Sequence, residues 1–329
     1  MSSPALDATL AAGDLDELLR WVDRLAEGGE WDRLVELRRR CRTAFERSGH
    51  QLWPITSQVE YRLALEAPAN WAALTLVEGA GRFALGPLSE VAASTHTWAD
   101  LSPHLTPGPV AGLVAHERVL RGEATGGEEK PGTDVLELPL ALQPWEPAYA
   151  VATYRADGAE FPSTPLPPLR LRTLPAAGLA VGDAQVPAAL AALVEPWVVE
   201  SNGTAATVAV RGTAEAAIAA LGHGEARVGD LRSGPALAAM AWAGASGGAH
   251  GRRRGAAVGR FGAWWALSAL AGLLDDWPVP PADLGAAASE LRWLHWQPAS
   301  GPTPGWSLHL AIEDPEDNLA WAIAAVDQT

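Results

Sequence analysis

The sequence predicts an α+β protein in which an all-helical N-terminal region of helical hairpins, with a solenoid-like stack as one arrangement open to it, precedes a mixed α/β C-terminal domain with short strands. Three observations carry this. Apolar residues recur at helical spacing as far as about residue 121. Residues 122–134 (GEATGGEEKPGTD) combine Gly, Pro and charge with no apolar period, as a linker does. Beyond them, alternating apolar runs mix with helical ones. The expected organisation is therefore a helical domain over 1–121, a linker over 122–134 and a mixed α/β domain over 135–329.

In the first region Leu15, Leu18, Val22 and Leu25 line one helix face, and Gly28-Gly29 interrupts before a second helix begins at Trp31. That helix carries Leu34, Leu37, Cys41 and Phe45 as its apolar stripe, with the pairs Glu36/Arg40 and Arg42/Glu46 four residues apart. Val59 with Leu63, Leu74 with Val77, Leu88 with Val91, and Val110 with Leu113 and Val114 mark further short helices between proline breaks. No repeat in residue identity supports a regular helical array.

In the second region Leu136, Leu138 and Leu140 alternate, as do Tyr149, Val151 and Thr153, and both runs read as strands. Residues 162–175 are proline-rich, with Leu169 and Leu171 alternating with Arg170 and Arg172, which suits an extended or edge segment. A helix over 188–194 should end at Pro196, followed by strand 207–211, a helix capped by Thr213, strand 226–228 and helix 235–242. A long helix over 252–274 comes next, then runs 291–296 and 306–312 as an antiparallel hairpin. The second run places Trp306, Leu308, Leu310 and Ile312 inward and Ser307, His309 and Glu313 outward, a half-buried strand. Asp314 and Pro315 then read as the start of a last helix bearing Leu319, Ile323 and Ala324.

A net charge of −15 over 329 residues repels phosphate backbones, so nucleic acid is disfavoured as a partner even though Arg38, Arg39, Arg40 and Arg42 cluster. The single cysteine, Cys41, rules out an intramolecular disulfide and fits a reducing compartment. The polar, acidic N-terminus lacks the pattern of a signal peptide, and a cytoplasmic setting is expected. The apolar stretch 255–274 resembles a spanning helix, but Arg260 and its many Gly and Ala residues favour a buried core helix, so no membrane association is expected.

The segment 246–265 (SGGAHGRRRGAAVGRFGAWW) is the most distinctive. It brings Gly247, Gly248, His250, Arg252, Arg253, Arg254 and Arg260 to one glycine-rich helix start, where backbone N–H groups and guanidinium groups suit an anion. It matches neither a Walker A loop nor a dinucleotide fingerprint, and a solvated turn is the simpler reading. Gly251, Gly255 and Gly259, four apart, are expected to let another helix approach closely. Eight scattered histidines show no zinc spacing, and Glu313, Asp314, Glu316 and Asp317 are explained by a helix start, so neither metal nor cofactor is indicated. Serine nucleophile motifs are absent, and the tryptophans crowding the last quarter suit either a core or a recognition groove.

With no catalytic signature, the sequence leans toward a non-enzymatic cytoplasmic adaptor or regulatory protein that binds a macromolecular partner, a protein above all. The alternative is an enzyme or sensor that binds a small phosphorylated or acidic ligand at residues 247–260.

Overall fold

A computed structural model of the chain describes residues 4–125 apart from 45, 47 and 48, together with 135–301 and 305–328. Phe45 and residues 126–134, most of the expected linker, lie outside the described residues. The chain packs as two compact units, one formed by Met1–Val135 with Ala152–Phe161, the other by Leu136–Val151 with Pro162–Thr329. The fold class is α+β: helices dominate the first unit and an antiparallel sheet flanked by helices makes the second.

The first unit holds α1 (Pro4–Ala12), α2 (Leu15–Glu27), α3 (Trp31–Arg42), α4 (Trp53–Glu66), α5 (Ala69–Ala72), α6 (Leu88–Thr95), α7 (Trp98–Leu101) and α8 (Pro109–Leu120). Asp14 caps α2 by accepting the Glu17 N–H at 3.0 Å, and Gly29, at φ 66°, makes the reversal into α3. Leu18, Val22 and Leu25 of α2 and Leu34, Leu37 and Cys41 of α3 are buried, as their spacing predicts, whereas Leu15, in the first turn of α2, is exposed. α4 is buried on almost every side, because it packs against α2, α3 and α6 at once. A hairpin of β1 (Thr153–Arg155) and β2 (Gly158–Glu160) belongs to this unit: the Tyr154 hydroxyl donates to Glu90 at 2.6 Å and the Tyr61 hydroxyl to the Arg155 carbonyl at 2.6 Å.

The second unit runs β3 (Arg170–Thr173), β4 (Leu179–Ala180), α9 (Gln185–Leu193), α10 (Glu195–Val199), β5 (Thr204–Arg211), α11 (Ala214–Ala220), β6 (Glu225–Leu231), α12 (Ser233–Ala245), α13 (Ala256–Leu270), α14 (Pro281–Glu290), β7 (Arg292–Pro298), β8 (Trp306–Asp314) and β9 (Leu319–Asp327). Its seven-stranded sheet has the order β3-β6-β7-β8-β9-β5-β4, antiparallel throughout, so the alternating strands and helices of residues 204–245 do not make a parallel unit. β3 is an edge strand, as its prolines and alternating arginines suggest. Ala214, Ala217 and Ile218 of α11 share a core with Leu294, Trp296, Ala311 and Ala322, while α9 and α12 pack against the sheet from its other face.

Several elements differ from expectation. Leu136, Leu138 and Leu140 form no strand, because the Pro139 and Ala141 carbonyls accept from the Arg260 guanidinium instead of a neighbouring strand. Of the run through Tyr149 and Val151 only Thr153 enters a strand. The long helix is shorter, Ala256–Leu270, with residues 251–255 extended or turned ahead of it. The expected last helix is strand β9. Its continuous run of apolar residues fits a strand covered on both faces as well as a buried helix, and periodicity does not separate the two. Asp314 Oδ1 accepts from the N–H groups of Glu316 and Asp317, at 2.9 and 3.3 Å, in the tight turn between β8 and β9. The same side-chain-to-backbone bond marks a helix cap in a sequence and an Asx turn in a hairpin.

Candidate functional site

The glycine-rich segment closes on itself between α12 and α13. A Cβ on Gly247 would collide with the Arg252 backbone and one on Gly251 with the Gly247 carbonyl, while Gly248 sits at φ +74°. The loop N–H groups, expected to face an anion, meet acceptors of the chain itself. Ala249 N–H donates to Asp327 Oδ2 at 2.6 Å, His250 N–H to Ser201 Oγ at 3.1 Å and Arg252 N–H to Glu200 Oε2 at 3.1 Å. Arg254 N–H bonds the Ala245 carbonyl that ends α12, at 2.8 Å. The side chains of His250, Arg252 and Arg254 are exposed and Arg253 is half-buried.

Arg260 belongs elsewhere: it is fully buried on α13. Its guanidinium grips Glu146 at 2.7 and 2.8 Å, donates to the Pro139 and Ala141 carbonyls, and lies 5.4 Å from the Trp264 ring centroid. Glu146 also accepts from Tyr149, Trp264 and the Gln143 N–H. Burial alone would push the Glu146 carboxyl up, but the Arg260 contact and these donors outweigh it and hold it below the ordinary value. Four N–H groups of Arg260 and both oxygens of Glu146 are used inside the fold, which makes the pair a clamp between residues 139–149 and α13.

A pocket of about 290 Å³ lies between α12 and the sheet. The pairing of β7 with β8 ends at His295↔Leu310, although β7 continues to Pro298, bonded to β6, and β8 begins at Trp306, bonded to β9. The pocket is lined by His295 and Gln297 of β7, by Ser307 to Leu310 of β8, by Ala239 and Trp242 of α12, and by Thr164 of the proline-rich segment. Trp242 is held in place by stacking on Trp306, with centroids 5.3 Å apart and an 18° interplanar angle, and by an edge contact from Trp197.

Four residues of this lining carry a buried polar atom without a hydrogen-bond partner among the described residues: Thr164 Oγ1, Trp242 Nε1, His295 Nδ1 and His309 Nδ1. Such orphans are uncommon in folded proteins, and these four fall on residues around one cavity. Burial lowers the His295 pKa. Burial, with His295 and His223 beside it, brings His309 down to about 4. Both rings are therefore neutral near pH 7, each able to donate or accept according to its tautomer.

None of the sequence candidates lines this pocket. His309, expected on a solvent face, is 6% exposed because β8 is an interior strand with both faces covered. The predicted hairpin brings the two strands side by side, but its register pairs His295 with Leu310 and so starts the His295 and His309 side chains from opposite faces of the sheet. Trp242 and Thr164 join them only through tertiary packing. Among the described residues no group of three or more His, Cys, Asp or Glu is placed to hold a metal ion, and no helix is long and apolar enough to cross a membrane.

Neither a curated protein nor a solved structure matches the chain. Residues 16–329 match the profile of DUF6183, described as a family of unknown function, and with nearly its whole length covered the chain belongs to that family.

Proposed function

We propose that this chain is a non-enzymatic binding protein whose second unit receives a small molecule in the pocket at the parting of β7 and β8. One observation carries the proposal: four residues that each hold an orphaned buried polar atom line one cavity. The volume stands at the small end of the range for ligand sites, which begins near about 300 Å³. Among the described residues at the pocket no nucleophile stands with a base and an orienting third group, which favours binding over catalysis.

The test is a fragment library screened by ligand-observed NMR against the full chain, Ala239→Phe, which fills the pocket from α12, and Ser307→Leu, which fills it from β8. Binding to the native chain, lost in both variants while their melts stay cooperative, supports the proposal. Fragments that bind all three proteins alike, or none at all, overturn it.

The adaptor role expected from the sequence is favoured by a different feature. Trp53, Leu74, Val77, Phe83 and Leu85 of the first unit are all about half exposed, and Trp53 and Phe83 line one groove of about 370 Å³ with Arg42 and Arg82. Phe83→Asp should then abolish recovery of a cross-linked protein partner from the native cell without lowering the melting temperature. A cytoplasmic setting accords with Cys41, whose thiol burial pushes up to about 12 and so keeps unreactive.

A further inference from the structure

Resting on the proposed small-molecule role of the pocket, we infer that its ligand is uncharged and carries several hydrogen-bonding groups, hydroxyls or ring amides, beside an apolar face. Among the described residues the polar lining consists of Thr164, Trp242, His295, Gln297, Ser307 and His309, with Ser163 beside them, and holds no Asp, Glu, Lys or Arg. A charged ligand entering this space gives up its hydration and meets no counter-charge, a loss that hydrogen bonds to neutral groups do not restore.

Each sign of charge also meets a specific obstacle. Trp242 Nε1 is a donor only, so an ammonium group placed against it faces the positive end of an N–H dipole. An anion would call for a protonated imidazole, yet no carboxylate lines the pocket to favour that form, and the titratable group beside the Trp296 ring shared with His309 is a third histidine, His223. Burial and these neighbours hold His309 neutral at pH 7. The arginines that make residues 247–260 attractive for an anion do not reach this lining.

An uncharged ligand meets this lining without these costs. An acceptor suits Trp242, and a hydroxyl or amide, which both donates and accepts, suits Thr164 and the two imidazoles. Leu166, Leu308, Leu310 and Ala239 supply the apolar wall.

The experiment measures binding of matched compounds to the full chain by saturation-transfer NMR and calorimetry at pH 7.5 (about a unit above the ordinary histidine pKa). Glucose and myo-inositol represent polyols, and uracil and nicotinamide represent ring amides. Glucose 6-phosphate and nicotinate are the anionic counterparts, and 1-methylnicotinamide, a permanent pyridinium cation, the cationic one. At least one uncharged compound should bind, its charged counterpart roughly tenfold or more weaker. Trp242→Phe and the near-isosteric Thr164→Val should each weaken it by roughly 3- to 10-fold, the worth of one hydrogen bond, with melts unchanged. Which of the two uncharged arms binds identifies the source. Charged compounds that bind as tightly as the uncharged ones, with the same sensitivity to Trp242→Phe, overturn the ligand class and leave the pocket's role standing. Binding indifferent to both variants, or binding by none of the compounds, overturns the class and, where the fragment library also finds nothing, the role as well.

Discussion

Arg260 and Glu146, 114 positions apart in the chain, meet as a two-pronged ion pair, Nε to Oε2 at 2.8 Å and Nη2 to Oε1 at 2.7 Å, with both side chains fully buried. Removing one member strands the other as an unpaired buried charge. Arg260→Met is therefore expected to destabilise the chain by about 3–5 kcal/mol, measured by urea unfolding. Arg254→Ala, at an exposed position, should change stability by less than about 1 kcal/mol. Equal effects of the two substitutions would contradict the clamp.

His309 gives the second unit a pH dependence whose sign follows from its two states. Unfolded, the imidazole titrates near 6.5; folded, it titrates at about 4. Between these values the unfolded chain takes up a proton that the folded chain does not, so stability is full above the unfolded value and declines as the pH falls toward about 4. The loss reaches about 3 kcal/mol. Urea midpoints of the native chain and of His309→Gln, measured from neutral pH down to the acid limit of folding, should diverge with the variant the less pH-sensitive. Parallel curves would contradict the buried neutral ring.

Gly259 is where α12 and α13 come closest. A Cβ there would run into the Ala241 carbonyl and stand 2.9 Å from Ala245 Cβ, and a Cβ on Gly244 would lie 3.3 Å from the Gly259 Cα. Gly259→Val should cost about 3 kcal/mol or more, because backbone rather than a movable side chain opposes it. Gly272→Ala serves as a contrast: open space surrounds the position, and only its φ of +68° resists a side chain, so the cost should be about 1 kcal/mol. Differential scanning calorimetry separates the two.

Tyr154 lies beyond the expected linker yet completes the helical unit. It is 5% exposed, donates to Glu90 and stands edge-on to Tyr61 with centroids 6.3 Å apart. Tyr154→Ala should cost about 3–5 kcal/mol, as for a large buried aromatic. Hydrogen exchange should show the loss in α4 and α6, the helices that carry Tyr61 and Glu90. Protection lost only near residue 154 would contradict this.

The sequence by itself determined the secondary structure of α2, α3 and β3, elements with one wet face. α2 and α3 are readable because Leu18, Val22, Leu25, Leu34 and Leu37 face a core while charged neighbours face water, and β3 because prolines and arginines suit only an edge. The same dependence explains the failures. β9 is apolar on both faces, so its residues carry no period that separates strand from helix, and Asp314 forms the same local bond at a cap and in a turn. Tertiary structure alone decided which polar groups are satisfied. Arg260 shares a motif with Arg252 and Arg254 but lies one helix turn deeper, and a carboxylate from residue 146 comes to meet it. His295 and His309 share a hairpin, but Trp242 and Thr164 lie far from it along the chain; the pocket lies where the two strands cease to pair beyond His295 and Leu310. Periodicity reports which face of an element is buried, whereas a binding site depends on which buried groups are left without a partner, and that is a property of packing between elements.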